Sequence, residues 1–463
     1  SRAVGWFTAL FPLALEPEGD PGQALLHVKE RYRRVPLEGL GYGVHRYLGG
    51  ESLPGGEVVF NYLGQFDGAG DGGFRLLADT PTATVDPALP RTHALEITAG
   101  VLDGRLRLGI AHGGERHGAH SIGHLLQAIQ GQIHALLHHC REHQGYSPVD
   151  FPLAALDQPA LDRLASRHGR NLAALYPLSP LQQGMLFHSL YAPQRGEYIE
   201  QLHCRLHGPL QPALLAAAWQ ALLDRHPLLR SGFLSEQDSP LQWVARRVEL
   251  PWQWLDWRDR DPEQQARELA ALREQEKRRG FDLAVAPLMR VLCIQERDDC
   301  QRLVWTYHHL LLDGWSVPLV FEELLADYRA RLVGEAFAAP HRRPYRDYIA
   351  WLQSQDRSAL ARHWRERLAG FGTPTRLLLG EGDAPGGAPR QETLLLEQTL
   401  SQRLRLGAQD RRLTLGTLLQ AAWACLLGRY SGETEVLFGV TNAGRQIDLP
   451  GVDAMLGLFI NTL

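Results

Sequence analysis

Apolar residues along this chain recur with two different periods, and the switches between them mark out its elements. Val58 to Phe66 (VVFNYLGQF) is a short run rich in β-branched and aromatic residues and predicts a buried strand. His93 to Ile110 holds two more β-rich runs that meet at Asp103-Gly104, a dipeptide favoured in tight hairpin turns. After them Ile122, Leu125, Leu126, Ile129, Ile133, Leu136 and Leu137 fall at helical spacing and form one apolar stripe.

The stretch from Tyr146 through Tyr176 interrupts this pattern with Pro, Asp and Ala. It predicts a short helical piece but no strand, and so an interdomain linker. From Pro177 the pattern resumes. A strand is expected around Tyr198–Leu206, then a helix opened by Pro212 at its first turn. That helix turns Leu214, Leu215, Ala218, Leu222 and Leu223 inward and stops before Pro227. Leu303 to Tyr307 (LVWTY) reads as a strand, and Leu319 to Leu332 as an amphipathic helix. Strands alternating with helices predict an α/β fold.

Composition bounds the function. At 463 residues, two or three folding units are expected. Hydrophobic content of 44%, charged content of 22% and a net charge of −4 carry no signal for nucleic acid or membrane. No apolar run approaches the roughly 20 residues that cross a bilayer. Only two of the 48 basic residues are lysine, Lys29 and Lys277, and no GK[ST] step for Walker-type nucleotide binding occurs. Five scattered cysteines (Cys140, Cys204, Cys293, Cys300, Cys425) without a CxxC pair fit a reducing, cytoplasmic setting, with neither a disulfide framework nor a zinc site. The chain opens on Ser1-Arg2-Ala3-Val4, neither a signal peptide nor a starting methionine, and stops at Asn461-Thr462-Leu463; a fragment truncated at both ends is expected.

The segment richest in chemistry is His308-His309-Leu310-Leu311-Leu312-Asp313-Gly314, placed between an apolar strand and a helix. An imidazole titrates near neutrality and can accept or steer a proton. An aspartate four residues after His309 can fix the loop through an arginine or a backbone N–H. A glycine lets a bulky ligand approach the backbone. Adjacent histidines on a strand point to opposite faces, so His308 and His309 do not suit one metal ion. By spacing alone, a structural pair and a proton-handling site both remain open.

HHxxxDG is the signature of the condensation-domain superfamily of acyl transferases, and this chain resembles that family over about 290 residues. Pro177 to His188 (PLSPLQQGMLFH), Arg225 to Phe233 (RHPLLRSGF), Phe281 to Arg290 (FDLAVAPLMR) and Tyr345 to Trp351 (YRDYIAW) match its segments in order. Phe438 to Arg445 (FGVTNAGR) and Leu456 to Thr462 (LGLFINT) complete the series. Residues 1–145 resemble a sister family, the epimerization domain, through Val4 to Pro12 (VGWFTALFP), Pro36 to Gly43 (PLEGLGYG) and Phe60 to Asp67 (FNYLGQFD).

The resemblance implies α/β lobes of the chloramphenicol-acetyltransferase type, two of them forming a V. It divides the chain into 1–145, the incomplete C-terminal lobe of an epimerization domain; 146–176, a linker; 177–345, the condensation N-lobe; and 346–463, an incomplete condensation C-lobe. The implied reaction is amide formation in a nonribosomal peptide synthetase. An aminoacyl amine on a downstream carrier attacks a peptidyl thioester on an upstream carrier, both held on phosphopantetheine, with no cofactor or metal bound by the chain itself. Partners would be the two carrier domains and neighbouring adenylation domains, with no nucleic acid and no membrane.

By the same resemblance His309 lies nearest the attacking amine, as base or as orienting acceptor. His308 supports the loop, and Gly314 keeps the tunnel open. Asp313 is structural, paired with Arg230 rather than Arg225. Tyr345 and Asn461 shape the site. Asn61 and Tyr62 match active-site residues of the epimerization family, whose HHxxxD segment is missing here, so that portion is expected to be inactive. The truncated chain is expected to be inactive by itself. An epimerization remnant before Leu311-Leu312-Asp313-Gly314-Trp315-Ser316 implies a donor ending in a D-residue and an L-acceptor. A coenzyme-A-dependent acyltransferase and a non-catalytic recruitment domain of the same fold are the alternatives.

Other motifs read as surface. Gly68-Ala69-Gly70-Asp71-Gly72-Gly73 satisfies GxGxxG but has no helix after it. His134/His138 and His139/His143 are i,i+4 pairs off the apolar stripe, and Arg278-Arg279 and His341-Arg342-Arg343 are short basic runs.

Overall fold

The structure, a computed structural model, describes residues 8–16, 19–50, 52–53, 55–66, 89–143, 145–192, 196–235, 239–372, 374–377 and 391–462. The start of VGWFTALFP, Asp67 and the glycine cluster at 68–73 lie outside the described residues. In chain order the strands are β1 (Val58–Phe66), β2 (Leu95–Leu102), β3 (Arg105–His112), β4 (Leu172–Pro177), β5 (Ile199–His207), β6 (Ser231–Leu234), β7 (Leu241–Ala245), β8 (Trp252–Asp256), β9 (Met289–Arg297), β10 (Cys300–His308), β11 (Thr441–Asn442) and β12 (Asn461–Thr462). The helices are α1 (Pro21–Arg33), α2 (Leu40–Gly43), α3 (Ala119–Glu142), α4 (Gln158–His168), α5 (Pro180–Tyr191), α6 (Pro212–Arg225), α7 (Pro262–Arg279), α8 (Ser316–Leu332), α9 (Tyr345–Gln353), α10 (Arg357–Arg367), α11 (Gln398–Asp410) and α12 (Leu415–Ser431). No helix among the described residues is long and apolar enough to cross a membrane.

The chain divides into two compact units: Ser1–Pro177 with Arg230–Val248, and Leu178–Leu229 with Glu249–Leu463. In the first, β1 pairs parallel with β2, and β2 and β3 form the expected hairpin. Asp103 and Gly104 both have positive φ (49° and 69°), as a two-residue turn that follows the strand twist requires. The strand at Val58–Phe66 forms but is not buried. Among the described residues it is an edge strand with one neighbour, and Val58, Phe60, Tyr62 and Leu63 are all exposed. The stripe on α3 is likewise only partly covered, with Ile122 buried while Leu125, Ile133 and Leu137 remain exposed.

The stretch expected to be a strand-free linker contains a strand. Leu172–Pro177 forms β4 at one edge of a sheet ordered β4-β7-β6. Leu161, Leu164, Leu172 and Leu175 are buried with it, so this segment contributes to a core.

The second unit is built on a sheet ordered β5-β10-β9-β8. β10 pairs antiparallel with both β5 and β9 along its length. Burial along β9 and β10 is nearly continuous, the pattern of strands covered on both faces. On one face Trp305 packs against Trp219 of α6 and Phe321 of α8, at centroid distances of 5.3 Å and 5.9 Å. The next residue, Thr306, points the other way. There Gln201 Nε2 donates to Thr306 Oγ1 (3.3 Å) and to the Arg273 carbonyl of α7 (2.9 Å). Pro212 stands at the first turn of α6; Leu215, Ala218, Leu222 and Leu223 are buried as expected, Leu214 is only half-buried, and Trp219 is added.

Candidate active site

β10 delivers His308 at its last position, and α8 begins at Ser316. Between them Leu310, Leu311 and Leu312 are fully buried, so three apolar side chains anchor the loop. The polar residues around them are therefore held rather than mobile.

His308 faces inward. Its Nδ1 accepts from the Leu310 N–H (3.2 Å), and Nε2 lies 3.4 Å from Ser189 Oγ of α5. Burial, reinforced by neighbouring His309, pushes the His308 imidazole down to about 4. It is neutral at physiological pH, which fits a support for the loop. His309 is half-buried, and its backbone N–H donates to the Tyr198 carbonyl (2.8 Å). Tyr198 itself has φ of +66°, a strained value for a bulky residue. The Nδ1 of His309 has no hydrogen-bond partner among the described residues.

Asp313 is fully buried and does not bond to Arg230. Its Oδ1 accepts from the Ser316 N–H (2.9 Å), Ser316 Oγ (2.8 Å) and Arg445 Nη2 (3.2 Å). Its Oδ2 accepts from the Phe459 N–H (3.0 Å), and its own N–H donates to the Gly457 carbonyl (2.9 Å). Arg445 also donates to the Val452 and Met455 carbonyls (2.6 Å and 2.9 Å), and lies 4.1 Å over the Phe459 ring. Burial pulls its guanidinium downward, and the Asp313 charge opposes that shift.

The expected pairing of Asp313 with Arg230 is thus corrected. Arg230 donates instead to the Ala245 and Arg246 carbonyls, because its place immediately before β6 puts it beside the end of β7. Arg225 serves α8: it reaches Glu323 (2.8 Å) and Asp327 (2.7 Å). Burial works against ionisation of Glu323, yet His226 and Arg225 outweigh it and hold the carboxyl down to about 2. Arg342, read from sequence as surface, joins this cluster at 3.2 Å from Glu323 and donates to the Ala454 carbonyl.

Several sequence segments meet here. In PLSPLQQGMLFH, Ser179 and Gln182 form a reciprocal cap, and Gln182 Nε2 donates to the Leu310 carbonyl (3.0 Å). Tyr345 is buried and donates its hydroxyl to the Leu458 carbonyl (2.9 Å). Asn461, on β12, faces Asn442 of β11 and is exposed. It helps line a cleft of about 660 Å³ with Ser179, Trp315, Tyr348, Arg445 and Phe459. His308 and His309 are not among the residues lining that cleft. A Cβ placed on Gly314 would meet nothing within 4 Å, so this position opens onto free space. Asn61 and Tyr62 lie on exposed β1, in the other unit. No cluster of three or more metal-ligating side chains occurs among the described residues. Arg445 escapes sequence reasoning as a site residue, although it ends the FGVTNAGR segment singled out there.

A half-buried histidine on an anchored strand-to-helix loop, followed by an aspartate whose oxygens are committed to Ser316, Arg445 and Phe459, sits in an α/β domain. A family profile described as the condensation domain matches residues 173–463, well over half the chain. The chain belongs to the condensation-domain family, of the kind found in nonribosomal peptide synthetases. It is 40% identical over its whole length to a linear gramicidin synthase of Brevibacillus parabrevis, and covers 9% of that protein. It is 38% identical over its whole length to chondramide synthase cmdD of Chondromyces crocatus, covering 13% of it. Among solved structures, the condensation domain of the monacolin K polyketide synthase MokA aligns with a TM-score of 0.51 and 22% identity. That alignment covers 64% of this chain and 68% of the other, and bears out the chloramphenicol-acetyltransferase-like fold.

Proposed function

We propose that residues 177–463 catalyse amide formation between two carrier-bound substrates: an aminoacyl amine on a downstream carrier attacks a peptidyl thioester on an upstream one. The observation that carries this reading is the division of labour within HHxxxDG. His308 is buried and neutral, Asp313 is consumed by structure, and the His309 ring is half-buried, its Nδ1 enclosed and without a hydrogen-bond partner among the described residues. That leaves His309 to accept or orient the proton of the attacking amine. The nitrogen–carbonyl bond forms, the carbon–sulfur bond breaks, and the amine proton ends on the departing pantetheine thiol. The thioester is already activated, so the reaction needs no nucleotide. Holding both reactants together can supply roughly 7–11 kcal/mol of the barrier.

Gly314 opens onto free space and is assigned to the thioester passage; Tyr345 and Asn461 are assigned to its walls. Residues 1–145 are assigned to the C-terminal lobe of an epimerization domain. Domain order and the loop Leu311–Ser316 favour a donor ending in a D-residue. The proposed partners are the flanking carrier domains and the adenylation domains that load them, in the cytoplasm. The test uses a full-length synthetase carrying this sequence, with donor and acceptor carriers loaded separately and acceptor mass followed by intact-protein mass spectrometry. A mass gain confined to D-donors supports the assignment. Equal gain from L-donors removes the D-preference, and no gain from either moves the domain to a recruitment role.

A further inference from the structure

The unit made of Ser1–Pro177 and Arg230–Val248 carries a feature that the HHxxxDG chemistry does not use. Arg170, Arg230, Arg246 and Arg247 line one shallow groove of about 540 Å³, completed by Asn171 and Ala173. No carboxylate lines it among the described residues. Arg230 is the buried member, with Nη1 turned to backbone carbonyls. Arg170 makes one long contact, 3.4 Å, to the Arg141 carbonyl. Arg246 and Arg247 are exposed, and no ion pair engages either side chain among the described residues.

The backbone beneath these charges is fixed. The Asn171 carbonyl accepts from the Arg246 N–H (2.7 Å), and Asn171 Oδ1 accepts from the Arg247 N–H (2.9 Å). Leu172 of β4 is in register with Ala245 of β7, so the two segments bearing the arginines are joined by a strand ladder. Guanidinium groups held this way repel one another, and surfaces without a partner usually intersperse both signs. A partner bearing several negative charges relieves the repulsion without reordering the groove.

The lining narrows the partner's chemistry. It contains no aromatic side chain on which a base could stack. The groove is shallow, and its buried arginine already spends hydrogen bonds on carbonyls, so it does not enclose a small ion. Exposed guanidinium forks do match carboxylates, which they bind through paired N–H groups. We propose that this groove binds an acidic protein segment presenting several Asp or Glu side chains in a row.

The test titrates a dye-labelled ten-residue oligoglutamate with the 463-residue chain, following fluorescence anisotropy at low and at physiological ionic strength. Saturable binding is expected, weakened by salt and by about tenfold or more in R246E/R247E. The reversal R278E/R279E, at a basic pair on α7, is expected to leave it unchanged. Circular dichroism checks folding; should R246E/R247E not fold, R246Q/R247Q is expected to show a smaller loss in the same direction. Absence of saturable binding, equal loss in the α7 variant, or displacement by inorganic phosphate at the peptide's own concentration would overturn the proposal.

Discussion

Asp313 and Arg445 form a buried ion pair across 132 residues of sequence, with Nη2 3.2 Å from Oδ1. Both side chains are almost wholly withdrawn from water, and each also bonds backbone: Asp313 to Ser316 and Phe459, Arg445 to Val452 and Met455. The pair therefore sets where the loop after His309 lies against the segment 452–459. Its hydrogen bonds go to the loop and to backbone within this unit.

Removing one partner should expose that role. Arg445→Ala leaves a buried carboxylate without its cation, a change that typically costs roughly 3–5 kcal/mol. Urea denaturation is expected to show that loss. Arg230→Ala, which removes no partner of Asp313, is expected to leave the 313–316 loop in place, as read by proteolysis of that loop. Equal effects on loop protection from both variants would restore the Arg230 pairing.

Three glycines should respond differently to one methyl group. A Cβ on Gly457 would overlap the Tyr345 ring, and one on Gly444, where φ is +65°, would collide with the Phe459 carbonyl. Gly457→Ala is expected to destabilise by roughly 1–3 kcal/mol. Gly314→Ala meets open space and is expected to stay within about 0.5 kcal/mol of wild type. Any effect of Gly314→Ala on turnover would then fall on the bound substrate, separable by comparing melting temperature with rate.

The elements that local pattern defines were legible in the sequence. Pro212 and the spacing of Leu215, Ala218 and Leu222 mark α6, and Asp103-Gly104 marks the β2–β3 turn. β4 was not legible, because six residues of mixed burial become a strand only through β7, far along the chain. A still longer separation, 132 residues, hid the arginine partner of Asp313. The RHPLLR arginines were nearer in sequence and equally plausible in chemistry, yet Arg225 is drawn to Glu323 and Asp327. His308 and His309 were recognised together, but only burial separates the neutral support from the half-open ring.

That separation predicts a pH dependence. The ordinary histidine value of 6.5 falls to about 4 for His308 in the folded chain. Between those values the unfolded chain binds the extra proton and the folded chain does not, so stability should fall as pH drops through the window. The total is on the order of 3 kcal/mol, at about 1.4 kcal/mol per pH unit. His308→Gln is expected to flatten this part of the stability–pH curve; an unchanged slope would place the effect elsewhere.

Within the basic run at 341–343 the two arginines should behave unequally. Arg342 is largely buried against Glu323, whereas Arg343 pairs at a more open site with Asp347. Arg342→Ala is expected to lower the unfolding free energy by more than about 1 kcal/mol, and Arg343→Ala by less than about 1 kcal/mol. Chemical denaturation of the two single variants checks the order.

The most direct measurement compares His309→Ala with His308→Gln in a full-length synthetase carrying this sequence, under single-turnover conditions with loaded donor and acceptor carriers. A folded His309→Ala variant is expected to form the amide at least about 100-fold more slowly, the contribution typical of a group handling the proton. His308→Gln is expected to keep most of its rate wherever it stays folded. Wild-type rates in His309→Ala, with folding intact and carriers loaded, would contradict the assignment of proton handling to His309.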